Sequence, residues 1–144
     1  MHHPPTLTIL YIDDDPAIRF LVEEVLAQGK QELGDEAEIC LLGAGSVEEA
    51  GRQYGAVQPD ALLLDYRLGG MDGWDALPGV KQTWHCPVWI LTGMSSEWLR
   101  DRCVGSGAEG IISKDAMLQD VTQLRLFLLE HVAAPSGATG AKKA

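Results

Sequence analysis

Apolar and polar positions alternate in blocks along this chain, and the blocks predict strands and helices in turn. Thr6 to Ile12 is β-branched and apolar and stops abruptly at Asp13, Asp14 and Asp15, the pattern of a short strand. Asp15 before Pro16 reads as a helix N-cap followed by the first helical residue. Ile18, Leu21, Val22, Val25 and Leu26 then recur at helical spacing, which leaves one apolar face. Gly29 to Glu36 is polar and turn-prone and is expected to fray into a loop. Glu38 to Leu42 suits a second strand. Ser46-Val47-Glu48-Glu49 is a capping box that opens a second helix, which Pro59 ends. Ala61 to Leu64 is a continuous apolar run, as in a strand covered on both faces, and it ends at Asp65.

A Gly-rich loop leads to Asp72 and a third helix, with Pro78 and Gly79 inside it. An interior proline costs about 3 kcal/mol, so a kink or a short helix is expected there. Pro87 to Leu91 is the fourth strand and ends at Thr92-Gly93. Ser95 to Gly105 is expected to be helical. Gly110 to Ser113 is a brief fifth strand ending at Lys114, and Asp115 is expected to cap one last helix reaching Val132. Five β-α units imply a parallel sheet with helices on both faces. Right-handed crossovers then bring every strand end to one edge, where open sheets of this kind bind ligands.

Composition narrows the function. The 144 residues suit one domain, expected over 6–133, with a short extension at 1–5 and a small, polar, disordered tail at 134–144. The formal charge of −10 disfavours nucleic acid and acidic membrane surfaces as partners, since both attract clustered Lys and Arg. No apolar run approaches the roughly 18 to 20 residues that span a bilayer. The first residues lack the basic and apolar regions of a signal peptide, and a cytoplasmic location is expected. Cys40, Cys86 and Cys103 are widely spaced and odd in number, so buried, reduced thiols are expected in place of a disulfide frame.

The polar residues at the strand ends carry the chemistry. Asp13 and Asp14 follow strand one, Asp65 strand three, Thr92 strand four and Lys114 strand five. Carboxylates gathered in this way repel: a pair at about 4 Å costs about 4 kcal/mol at an effective dielectric of about 20. A hard divalent cation resolves the repulsion, and Mg²⁺ suits a few carboxylates together with water and phosphate oxygens. One carboxylate can then attack phosphorus to form an acyl phosphate, while the cation and Lys114 neutralise the phosphoryl oxygens.

Four segments carry a family resemblance. Leu10 to Pro16 with Arg19, Asp65 to Gly73, Ile90 to Gly93 and Gly107 to Lys114 resemble, in that order, the motifs of bacterial response-regulator receiver domains. The resemblance runs from about Thr6 to Val132. It implies a flavodoxin-like (βα)5 doubly wound sheet of five parallel strands in the order 2-1-3-4-5. It implies that Asp65 accepts phosphate from a histidine kinase or a histidine phosphotransfer protein. Asp14 would ligate Mg²⁺ directly, Asp13 mainly through water, and Arg67 through its backbone carbonyl. Thr92 would be the switch hydroxyl and Lys114 the phosphate-binding amine. Ile111 occupies the position where many receivers carry an aromatic switch, and Gly69 stands where a proline is common.

Two other functions compete. A phosphatase using an aspartyl phosphate would place a second Asp two residues after the nucleophile, where this chain has Arg67. An unphosphorylated receiver-like interaction module is the other, favoured by Ile111. The last helix is apolar on more than one side through Leu126 and Leu129, which suits either a deeply packed helix or, as the resemblance implies, a contact surface for a homodimer or a target protein. The tryptophans at 74, 84, 89 and 98 are read as packing or rim residues.

Overall fold

The computed structural model describes residues 6–33, 37–93, 97–103 and 105–133. Five parallel strands form the sheet: β1 (Thr6–Ile12), β2 (Glu38–Ala44), β3 (Ala61–Asp65), β6 (Val88–Thr92) and β7 (Gly110–Ser113). Their order is β2-β1-β3-β6-β7, the flavodoxin-like order once two short strands are set aside. Those two, β4 (Arg67–Leu68) and β5 (Met71–Asp72), pair antiparallel as a hairpin straight after β3. Gly69 turns the hairpin at φ 64°, a region that primed hairpin turns require and that proline cannot enter. The glycine that departs from the family pattern is therefore required by the local backbone.

Period-2 alternation divides the sheet cleanly. Leu10, Ile12, Leu62, Leu64, Val88 and Ile90 enter one buried cluster. It includes residues of α2 (Val47–Tyr54), α3 (Gly73–Thr83) and α4 (Glu97–Cys103). Ile9, Tyr11, Ala61, Leu63, Trp89 and Leu91 enter the other, beside α1 (Pro16–Leu33) and α6 (Gln123–Leu128). Both faces of the central strands are thus desolvated, which is why they read as continuous apolar runs. Trp74, Trp84 and Trp89 are buried, whereas Trp98 is 54% exposed.

Capping follows the sequence at two helices. The Ala17 N–H donates to Asp15 Oδ1 at 2.9 Å, fixing the start of α1. Ser46 Oγ accepts from the Glu49 N–H at 3.0 Å, and Glu49 Oε1 accepts from the Gly45 N–H at 2.9 Å. The second bond reaches one residue beyond the usual capping box. α3 runs through Pro78 as far as Thr83.

Several expectations need correction. The first helix does not fray at Gly29 but continues to Leu33. The last helix is broken into α5 (Lys114–Gln119), α6 and a π-helical turn at Leu129–Ala133. Asp120 Oδ1 takes both the N–H and the hydroxyl of Thr122, at 3.0 and 2.8 Å. This local side-chain turn competes with the helix and interrupts it. Ser113, not Asp115, caps α5: its Oγ accepts from the Ala116 N–H at 3.2 Å. α4 is described over Glu97–Cys103, with Gly105 beyond it at φ 78°, and Ser95 lies outside the described residues. Cys40 is exposed on the edge strand β2 and Cys103 is half-buried, so Cys86 alone of the three is a buried thiol; burial pushes its pKa up to about 11. The expected extension at 1–5 and tail at 134–144 lie outside the described residues. No helix among the described residues is long and apolar enough to cross a membrane.

Candidate functional site

Strand register assembles the site. Ile12 stands level with Ala44 on one side and Leu64 on the other, Asp65 with Leu91, and Thr92 with Ser113. The residues at or just past these strand ends therefore meet at one edge. They line a single cleft with Asp13, Asp14, Asp65, Arg67, Thr92 and Lys114 on its walls. Every residue expected to do chemistry is in that cleft. Ile111 is not; it is half-buried and packs against the core cluster on the α3 side of the sheet.

Asp13 is held on all sides. Its N–H donates to the Ala44 carbonyl at 3.0 Å, and its own carbonyl accepts from the Arg19 guanidinium. Its carboxylate Oδ1 accepts from the Asp15 N–H at 3.0 Å, and Oδ2 accepts from the Tyr11 hydroxyl at 2.5 Å. Asp13 is buried, whereas Asp14 is exposed at the rim. The hairpin turn passes near Asp14: a Cβ on Gly69 would stand 3.7 Å from Asp14 Oδ2.

Asp65 is also buried, and its segment is fixed from two sides. The Tyr66 N–H donates to Leu91 O at 2.8 Å, and the Gly73 N–H donates to Tyr66 O at 2.6 Å. The Tyr66 ring meets Trp74 edge to face at 5.5 Å. Lys114 Nζ lies 2.7 Å from Asp65 Oδ1 and 3.4 Å from Asp13 Oδ2. One ammonium is therefore shared by two buried carboxylates, with Asp65 the nearer.

The charges are tuned by this burial. Desolvation raises the Asp65 carboxyl above its ordinary value, although Lys114 opposes the rise; the Asp13 charge adds to it, and the Arg67 N–H lowers it. Burial pulls Lys114 down, but the hydrogen bond and charge of Asp65, with Asp13 behind it, more than reverse this. Lys114 thus stays an ammonium. Burial, reinforced by the bond to Asp13, pushes the Tyr11 hydroxyl far above its ordinary value, so it remains a donor.

The donor set fits a hard cation. Oxygens of Asp13, Asp14 and Asp65 all lie within 4.8 Å of one another. Ligands at about 2.0–2.1 Å around an octahedral Mg²⁺ stand roughly 3 to 4 Å apart, so small side-chain movements suffice. Lys114 alone does not balance the three carboxylates, and a divalent ion would.

Two participants escaped the sequence reading. Tyr11 reads there as one more apolar strand residue, and its hydroxyl is the feature that mattered; i, i+2 alternation with Asp13 was the available signal. Gly73 reads as a loop glycine, yet a Cβ there would stand 2.9 Å from Asp65 O. Nothing in the local pattern announces that approach.

Comparison with known proteins gives a consistent result. Residues 9–125 match the family model of the response regulator receiver domain. The two-component response regulator ARR6 of Arabidopsis thaliana is 29% identical over 133 residues, covering 88% of this chain and 72% of that protein. The transcriptional regulatory protein YvrH of Bacillus subtilis is 31% identical over 107 residues, 74% of this chain and 42% of that one. Among solved structures, a response regulator receiver domain from Rhodospirillum rubrum is 28% identical with a TM-score of 0.60, covering 85% of this chain and 93% of that one. The phosphorylated cyanobacterial phytochrome response regulator RcpA has a TM-score of 0.69 at 22% identity, with 90% of this chain and 95% of that one covered. The last likeness speaks to fold alone.

Proposed function

We propose that this chain, which belongs to the response-regulator receiver family, is a phosphorylation switch that carries its phosphoryl group on Asp65. The observation that bears the reading is Lys114 Nζ at 2.7 Å from Asp65 Oδ1, with the oxygens of Asp13 and Asp14 gathered at the same spot. Receiver domains of this family take phosphate from histidine kinases or phosphotransfer proteins and typically bind Mg²⁺ at an acidic pocket.

In this proposal an Asp65 carboxylate oxygen attacks the phosphorus of a phosphohistidine. The new O–P bond forms as the P–N bond breaks, and the electron pair returns to the imidazole nitrogen. Asp13 and Asp14, with the Arg67 carbonyl, would hold Mg²⁺ beside Asp65, and the bound ion supplies charge for the phosphoryl oxygens. Lys114 turns its ammonium from the carboxylate to a phosphoryl oxygen. Thr92, buried at the end of β6, donates to another once Asp65 is modified.

The unit is residues 6–133, cytoplasmic, acting through protein contacts and not by turnover of free phosphoesters. Arg67 in place of a second carboxylate supports the last point, since it provides no general acid. Leu118 and Leu126 are 41% and 48% exposed on α5 and α6, which supports contact with a target protein or a second copy through that surface. Acetyl phosphate with Mg²⁺ is expected to add one phosphate to the protein, read by intact-mass measurement. Asp65→Asn is expected to abolish the gain; an undiminished gain in that variant refutes the assignment.

A further inference from the structure

We infer that Tyr11 is a positioning residue for the cation site, acting through Asp13. The inference rests on the reading of Asp13, Asp14 and Asp65 as Mg²⁺ ligands. Tyr11 lies in β1 two residues before Asp13, so both side chains leave the strand on the same face. Its ring is fully buried among residues of α1 and α6, including Val22 and Leu124. Phenylalanine would fill that space equally well, and an unpaired hydroxyl there would be costly. The hydroxyl is tolerated because it reaches Asp13 Oδ2 at 2.5 Å, the length of a charge-assisted bond.

The bond decides what Asp13 has left to offer. A carboxylate has about four lone-pair directions. On Oδ2 the Tyr11 hydroxyl takes one, and Lys114 at 3.4 Å faces the other. On Oδ1 the Asp15 N–H takes one at 3.0 Å. Among the described residues these contacts leave Oδ1 the more open oxygen for a cation or its water. Without the hydroxyl, Oδ2 is released to rotate and to compete with Asp65 for Lys114. The hydroxyl thus fixes which Asp13 oxygen faces the ion and leaves the ammonium mainly to Asp65. Hydrogen-bond partners that orient metal ligands commonly contribute about 10- to 100-fold to metal affinity.

The test is Mg²⁺ binding to the full chain by titration calorimetry, with no phosphodonor present. Tyr11→Phe is expected to weaken Mg²⁺ binding about tenfold, the lower end of that range. A hydroxyl that merely satisfies itself in the core would lower the melting temperature and leave the Mg²⁺ affinity unchanged, and that result overturns the inference. If the phenylalanine variant does not fold, 4-aminophenylalanine at position 11 keeps an N–H donor and carries the test. It is then expected to bind Mg²⁺ within about threefold of tyrosine, and a loss of about tenfold despite the retained donor overturns the inference. Failure of the original protein to take up phosphate would remove the phosphoacceptor reading and leave the Mg²⁺ comparison to decide this one; failure to bind Mg²⁺ at all overturns it.

Discussion

Gly73 opens α3 against the carbonyl of Asp65, and its missing side chain is what permits the approach. An added Cβ would meet Asp65 O at 2.9 Å and both Ile90 Cδ1 and the Tyr66 Cα at 3.4 Å. Two of these three neighbours are backbone atoms and cannot swing aside. Gly73→Ala is therefore expected to cost about 1–3 kcal/mol, the range for overpacking. It is also expected to slow phosphate uptake by displacing the Asp65 segment. Urea unfolding and intact-mass kinetics read the two effects; a variant unchanged in both contradicts the account. At this scale the sequence disclosed the polar residues of the cleft and little about their supports. Asp13, Asp65, Thr92 and Lys114 each sit at the abrupt end of an apolar run, which is visible in one dimension. The hydroxyl of Tyr11 and the bare Cα of Gly73 gain meaning only once strand register brings a partner within reach.

Gly29 shows the same limit for a whole element. A glycine within a polar stretch suggested that the first helix ends there, yet α1 continues to Leu33. The reason lies across the interface, where a Cβ on Gly29 would stand 2.8 Å from the Val121 carbonyl and 3.4 Å from Arg125 Cβ. Val121 is presented by the Asp120–Thr122 turn that separates α5 from α6. Replacing an interior helical glycine with alanine ordinarily gains about 1 kcal/mol. Here Gly29→Ala is expected to reverse that sign and lower the melting temperature; a raised one would show that the interface yields freely. The break between α5 and α6 was partly legible, because an Asp two residues before a Thr is a known competitor for helical hydrogen bonds. The apolar spacing on both sides of it masked the signal.

Across the whole molecule the β-α alternation was read from the chain, whereas the order of the strands came from family resemblance, since periodicity says nothing about which strands are neighbours. The assembled edge has a consequence for stability. Asp65 is buried with its carboxyl raised, so the native state binds that proton more tightly than the unfolded chain does. Stability at this residue is therefore fully present at low pH and is lost as pH rises through the Asp65 range. Without Mg²⁺ at neutral pH, Asp65→Asn is expected to melt at a higher temperature than the original protein, and the advantage is expected to shrink on acidification. Adding Mg²⁺ is expected to raise the melting temperature of the original protein, and a chelator to undo the rise. A lower-melting Asp65→Asn protein would mean that the Lys114 pair outweighs the burial of the carboxylate.

Parallel strands also have a quiet side. Because the chemistry leaves from the carboxyl ends, the described part of the opposite rim carries return connections such as Gly55–Asp60 and Ser106–Glu109. A dye or affinity handle hung from the exposed side chain at Gln58 would ride on the molecule as a passenger, reporting its whereabouts without altering what it does.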